Sequence, residues 1–66
     1  MSVLKVIELL SSSKTSWEEA TQKAIAKASK SVKNIRSVYV KDQSASVDGG
    51  KISEYRVTLK VTFELE

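Results

Sequence analysis

The sequence predicts an α+β domain with the element order β-α-β-β, in which a three-stranded sheet packs on one helix. The last twelve residues, from Tyr55 to Glu66, alternate apolar and polar side chains without interruption, as a half-buried strand does. Residues 17–33 instead repeat apolar side chains at helical spacing. Asp48-Gly49-Gly50-Lys51 is typical of a tight hairpin turn, because glycine tolerates positive φ.

The first element is predicted to be a strand from Val3 to Leu10. Apolar residues stand at both its odd and its even positions, so we expect this strand to be covered on both faces. The polar run from Ser11 to Ser16 is predicted to be a loop that ends where the helix begins.

The helix is predicted to begin after Ser16 and to run for about 17 residues. Ser16 and Glu19 fit a capping box, in which Ser16 is the N-cap and the Glu19 side chain reaches back to the Ser16 backbone. Asn34 is the predicted C-terminal cap. The stripe predicted to be buried has small residues that let the helix lie close to a sheet, and it comprises Trp17, Ala20, Ala24, Ile25, Ala28 and Val32.

Two strands are predicted after the helix, the first from Ile35 to Val47. A helical crossover favours a parallel arrangement of the first two strands with the long third strand antiparallel between them, which gives an antiparallel or mixed sheet of order 1-3-2. The hairpin loop is either Asp48-Gly49 or Gly49-Gly50, and both choices pair odd positions of the third strand with even positions of the second. The predicted helix face holds Val38, Val40, Val57, Leu59, Val61 and Phe63. The opposite, polar face holds Ser37, Tyr39, Lys41, Gln43, Arg56, Thr58, Lys60 and Thr62.

The length of the last strand indicates that the chain associates with copies of itself. Twelve residues of strand span about 40 Å, whereas the predicted helix covers only about 26 Å. A chain of 66 residues has a marginal core, and this one has no Cys with which to form a disulfide. We therefore expect a neighbouring copy to bury the uncovered apolar end, with Phe63 among the buried side chains.

The opening residues, Met1 to Leu10, are too few for a membrane span and, with Lys5 and Glu8, too charged for a signal peptide. We expect a cytoplasmic protein without a membrane partner. An enzyme is not expected, because the sequence has no His or Cys to serve as a general base or thiolate nucleophile.

Two further ligand classes follow from the charged residues. A metal such as calcium would need carboxylate oxygens, and these are scattered along the sequence, so a cation site would have to repeat one carboxylate around a symmetry axis. Asp42 and Glu64 are the weak candidates for it. The net charge of +3 raises nucleic-acid binding as an alternative. A solvated helix surface without a binding role is the favoured interpretation, because no exposed aromatic residue accompanies the lysines of this segment. These are Lys23, Lys27, Lys30 and Lys33.

The whole chain resembles a dodecin. The resemblance runs through Lys5-Val6-Ile7-Glu8, Thr15-Ser16-Trp17-Glu18-Glu19-Ala20, Val32-Lys33-Asn34-Ile35, Val40-Lys41-Asp42-Gln43 and the closing strand from Val57 to Leu65. No single motif is diagnostic, and the colinear pattern carries the assignment. The resemblance implies a hollow homododecamer that sequesters a small ligand.

The resemblance also implies a ligand site on the polar face. The alternatives are that this face is only a solvated surface or a hydrated subunit interface. Flavin-binding dodecins stack a Trp on the flavin ring and hydrogen-bond its edge with a Gln; here Ser37 and Arg56 stand at these positions. Tyr39 lies on the same predicted face but is displaced along the strand. Binding of riboflavin or FMN is therefore expected to be weak or absent, and the pattern resembles a dodecin branch for which calcium binding has been proposed. Trp17 is expected to be structural.

Arg56 favours an anionic partner. The alternatives are a carboxylate of a neighbouring chain, a phosphate, or a phosphorylated flavin.

Overall fold

The computed structural model describes residues 3–66, so that Met1 and Ser2 of the opening segment lie outside the described residues. The elements are β1 (Leu4–Ser13), α1 (Trp17–Ala28), β2 (Ile35–Asp48) and β3 (Lys51–Glu64). The sheet order is β1-β3-β2, and β3 is antiparallel to both neighbours. The predicted fold class and strand order are confirmed. Within residues 3–66, no helix is long and apolar enough to cross a membrane.

β1 differs from its prediction in length and in coverage. Ser11 to Ser13 continue the strand, opposite Val57, Arg56 and Tyr55 of β3, and do not form a loop. They fit a strand because the sheet and the helix start satisfy their polar groups: the Ser13 hydroxyl donates to the Glu19 carboxylate. Within one chain only the face of β1 toward α1 is covered, because β1 is an edge strand whose Leu4, Val6 and Leu10 side chains are exposed on the side away from α1.

The helix begins as predicted and ends early. The Ser16 hydroxyl accepts the Glu19 N–H at 2.9 Å, as an N-cap does. The predicted return bond from the Glu19 side chain is wrong, since its carboxylate accepts the Ser13 hydroxyl instead. α1 has 12 residues and ends at Ala28. Ser29 is the C-cap, and its hydroxyl donates to the Ile25 carbonyl at 2.7 Å.

Asn34 is not the helix cap that the sequence predicts. It lies beyond a turn that follows the helix, with a positive φ of 62° that asparagine tolerates better than most residues. Its backbone oxygen accepts the Glu64 N–H at 3.0 Å. Asn34 therefore directs the chain into β2 beside the end of β3.

The core lies between α1 and the centre of the sheet. Its buried hydrophobic residues are Ala20, Val57, Leu59 and Val61. Complete burial of Ala20 agrees with a close approach of the helix to β3. The predicted face of Val38 and Val40 is confirmed, since they lie opposite Val61 and Leu59. Both remain 36% exposed, because α1 packs mainly over β1 and β3 and does not cover them as predicted.

The hairpin loop is Gly49-Gly50, with positive φ at both glycines, as the sequence allowed. A register shift between Val40 and Asp42 places an extra residue, Lys41, in β2. Beyond it Gln43 lies opposite Val57, on the helix face, so its predicted place on the polar face is wrong.

Candidate functional site: the open face of the sheet

The sheet surface opposite α1, here called the open face, is built from alternate residues of all three strands. Cross-strand partners share a face, so the strand register defines its members. These are Leu4, Val6, Glu8, Leu10 and Ser12 of β1, Arg56, Thr58, Lys60, Thr62 and Glu64 of β3, and Ser37, Tyr39, Asp42 and Ser44 of β2. The face combines hydroxyl groups and charges of both signs with exposed apolar side chains.

The three predicted ligand positions lie on this face but at separate points along it. Ser37 lies opposite Thr62, Tyr39 opposite Lys60, and Arg56 opposite Ser44. Measured along β3, Ser37 is therefore six residues, or about 20 Å, from Arg56. Tyr39 is about 13 Å from it. A single chain does not bring the three side chains together.

Arg56 occupies the centre of a cleft of about 350 Å³. Ser12 of β1 and Ser44 of β2 are its direct partners on either side, so that Arg56 stands between two serines in one row across the sheet. We call this the Arg56 cleft, and it is lined by Leu10, Ser11, Ser12, Ser44, Arg56, Val57 and Thr58. The sequence does not predict Ser12 and Ser44 as site residues, because its polar run around Ser12 indicates a loop and because Ser44 lies on this face only between the register shifts at Lys41 and at Ser46.

Tyr39 lies in the next part of the open face, near two lysines and one glutamate. Glu8 and Tyr39 are the partners of Lys60 on its two sides. The Lys41 ammonium lies 3.4 Å from the Glu8 carboxylate, and this exposed ion pair joins β2 to β1 across β3. The Tyr39 side chain is 66% exposed and is the only aromatic residue of the open face within residues 3–66.

The two metal candidates are also separated. Asp42 lies opposite Thr58, and Glu64 is six residues farther along β3, about 20 Å away. The Glu64 carboxylate accepts from the Arg36 guanidinium, with Nε and Nη2 both at 3.0 Å. Within residues 3–66, no three acidic side chains cluster in a way that could hold a metal ion.

Trp17 lies on the other side of the sheet. Its indole Nε1 donates to the Ser44 carbonyl at 2.9 Å, and its ring meets Tyr55 edge-on with 4.9 Å between centroids. Since Trp17 also packs against the buried core, it serves the fold and offers no stacking surface to the open face.

The helical segment carries the net positive charge. Residues 14–34 contain five lysines and two glutamates, which gives +3, the charge of the whole chain. Lys23 donates to the Ser12 carbonyl, at the rim of a groove of about 500 Å³ between α1 and β1. Lys27 lines the same groove. These lysines lie on a different surface from the Arg56 cleft.

The family model for dodecins matches residues 3–66. The chain belongs to the dodecin family. Calcium dodecin from Mycobacterium tuberculosis is 46% identical over 66 residues, which cover 98% of this chain and 92% of that protein. The expected family resemblance is thus confirmed.

Solved dodecin structures agree with the fold. An arginine-to-alanine variant of the Thermus thermophilus dodecin superposes with a TM-score of 0.94 at 33% identity, covering 100% of this chain and 98% of that one. The crystal structure of the Mycobacterium tuberculosis calcium dodecin, described as calcium chelating with a novel calcium-binding site, has a TM-score of 0.82 at 43% identity. The superposed region covers 97% of this chain and 91% of the calcium dodecin chain. The β-α-β-β arrangement of this dodecin-family chain is therefore that of its relatives.

Proposed function

We propose that this chain assembles into a hollow homododecamer that holds a small-molecule ligand on its open face and binds free flavin only weakly. The observation that carries the assembly is the amount of apolar surface that a single chain leaves uncovered. Leu10 is 80% exposed, and the other exposed large apolar side chains are Val3, Leu4, Val6, Val38, Tyr39, Val40, Val47, Ile52 and Leu65. Apolar surface on this scale marks an interface, and small chains without disulfides or metals gain stability by association.

Assembly also supplies what the ligand site lacks in one chain. Ser37, Tyr39 and Arg56 share the open face but stand about 13 to 20 Å apart along β3. Packing of neighbouring copies, with the open faces toward each other, would bring these positions from different chains around one ligand. The function proposed here is sequestration without chemical conversion.

Weak flavin binding follows from the side chains at the family's flavin positions. Ser37 offers no ring to stack on, and Trp17 is held by Ser44 and Tyr55 on the far side of the sheet. An aromatic contact contributes about 0.5–1.5 kcal/mol to the binding free energy beyond the burial of apolar area. A symmetric site that lacks the ring in every copy loses this contribution more than once.

The test is purification followed by light scattering and riboflavin titration. We expect a colourless particle of twelve chains that quenches riboflavin fluorescence weakly. A yellow protein with a flavin absorption band, or strong quenching by the wild type, would overturn the proposed ligand preference. A monomer would overturn the assembly.

Calcium is the second candidate ligand, favoured by the 46% identity to calcium dodecin from Mycobacterium tuberculosis. Asp42 is its better candidate ligand, because Arg36 already engages the Glu64 carboxylate. One carboxylate per chain would form a cation site where several copies meet. Calorimetric titration with CaCl₂ should show binding that Asp42→Asn abolishes and that the matched control Asp48→Asn, at the hairpin turn, retains. Equal binding by both variants would exclude Asp42.

A further inference from the structure

We infer that the Arg56 cleft binds the phosphate group of a small anionic molecule. This inference rests on the proposed sequestering function and names the ligand class for one part of the open face. A site for an oxyanion needs hydrogen-bond donors that converge, a positive charge, and room for the group. The Arg56 cleft provides all three.

The donors come from all three strands. Ser12 and Ser44 are the cross-strand partners of Arg56, and Thr58 is the next residue of β3 on the open face. Directly opposed residues have Cβ atoms about 4.5–5.5 Å apart, so the two serine hydroxyls flank the base of the Arg56 side chain on the open face. Each hydroxyl donates one hydrogen bond, and the guanidinium carries five N–H donors in a fork that matches phosphate.

The charge of Arg56 is weakly neutralised. Among residues 3–66, its ion-pair partner is Glu54, whose carboxylate lies 3.8 Å from Nε, and the Arg56 side chain is 61% exposed. An exposed pair of this length contributes little and yields to a ligand that makes direct hydrogen bonds.

The same features disfavour an uncharged ligand at this point. An amide could pair with both a donor and an acceptor on a ring edge, whereas the guanidinium of Arg56 only donates. A phosphate has enough acceptor oxygens to receive bonds from Arg56, Ser12 and Ser44 together. The cleft volume of about 350 Å³ admits a small organic phosphate.

Riboflavin and FMN form a matched pair of probes, because they differ only by one phosphate. Titration of the assembled particle at fixed low ionic strength should give a dissociation constant for FMN about tenfold or more below that for riboflavin. Inorganic phosphate should compete with FMN. Arg56→Gln should reduce the ratio of the two constants to about one, and Ser12→Ala should reduce it in part.

Lys60→Gln is the control, because it also removes one positive charge from the open face. Lys60 lies four residues from Arg56 along β3, with the Thr58 row between them. This variant should keep the preference for FMN. Equal affinity of the wild-type particle for both flavins, with no binding of inorganic phosphate, would overturn the inference while leaving the shell intact. Equal loss in Lys60→Gln and Arg56→Gln would show general charge attraction instead of a site. Dissociation of the Arg56→Gln particle would show that Arg56 pairs with a neighbouring chain's carboxylate, which also overturns it.

Discussion

The Ser13 hydroxyl donates to the Glu19 carboxylate and thereby joins the last residue of β1 to the first turn of α1. The same hydroxyl oxygen accepts the Thr15 N–H at 2.9 Å. Ser13 is only 3% exposed, so its hydroxyl has little access to water as a substitute partner. This cluster sets the angle at which the helix leaves the sheet.

Ser13→Ala should therefore destabilise the protein by about 1 kcal/mol, because it removes the buried hydroxyl that bonds both the exposed Glu19 carboxylate and the Thr15 N–H. Urea unfolding at one fixed protein concentration measures the change. Ser31→Ala, at an exposed serine after the helix, is the control and should alter the unfolding free energy by no more than about 0.5 kcal/mol. Equal effects of the two variants would mean that the Ser13 cluster does not stabilise the junction.

Flavin affinity should rise when a ring is restored at the stacking position. Ser37→Trp is expected to add about 2 kcal/mol of stacking and apolar burial and to tighten riboflavin binding more than tenfold. Fluorescence quenching of riboflavin measures this, and Ser31→Trp controls for a tryptophan placed away from the open face. Adding Arg56→Gln to Ser37→Trp should strengthen riboflavin binding further by returning the uncharged amide. No gain in either variant would mean that the pocket is closed.

The lysines of α1 are expected to form a solvated surface and not a nucleic-acid site. They lack interleaved aromatic side chains, and within residues 3–66 the sheet has a single exposed aromatic residue, Tyr39, on its open face. A short DNA duplex should show no binding at low salt in a fluorescence anisotropy titration. Salt-dependent binding that Lys23→Gln and Lys27→Gln weaken would contradict this expectation.

Much of the fold could be predicted because its signals are local or strongly periodic. The alternation from Tyr55 to Glu66 predicted β3, the Ser16 cap predicted the helix start, and Asp48-Gly49-Gly50-Lys51 predicted the hairpin turn. These features depend on backbone geometry and on the period of burial. Both leave direct traces in the sequence.

The candidate site was harder to predict because it depends on register. The register shifts at Lys41 and between Ser46 and Val47 together place Gln43 on the helix face and bring Ser44 beside Arg56. Irregularities of this kind have no sequence signature here, yet they exchange the faces of the residues that lie between them. The early end of α1 at Ala28 was missed for a related reason, since the Ser29 hydroxyl bonds the Ile25 carbonyl in competition with continued helix.

Phe63 links the fold to the assembly. It is half-buried in one chain, at the end of β3 beyond the helix, where a neighbouring copy is expected to complete its burial. Phe63→Ala should then cost about 3–5 kcal/mol and dissociate the particle. Val47→Ala, at an exposed apolar residue next to the hairpin turn, tests whether the effect is specific to Phe63. Dissociation by both variants alike would show a general loss of apolar area.

Light scattering coupled to size-exclusion chromatography, at micromolar concentration, tests the central claim most directly. The exposed apolar surface of the single chain requires partners, so we expect one species at twelve times the chain mass of 7.3 kDa, with scarcely any monomer. A stable species at 7.3 kDa would contradict the proposed shell and, with it, a ligand site completed by neighbouring copies.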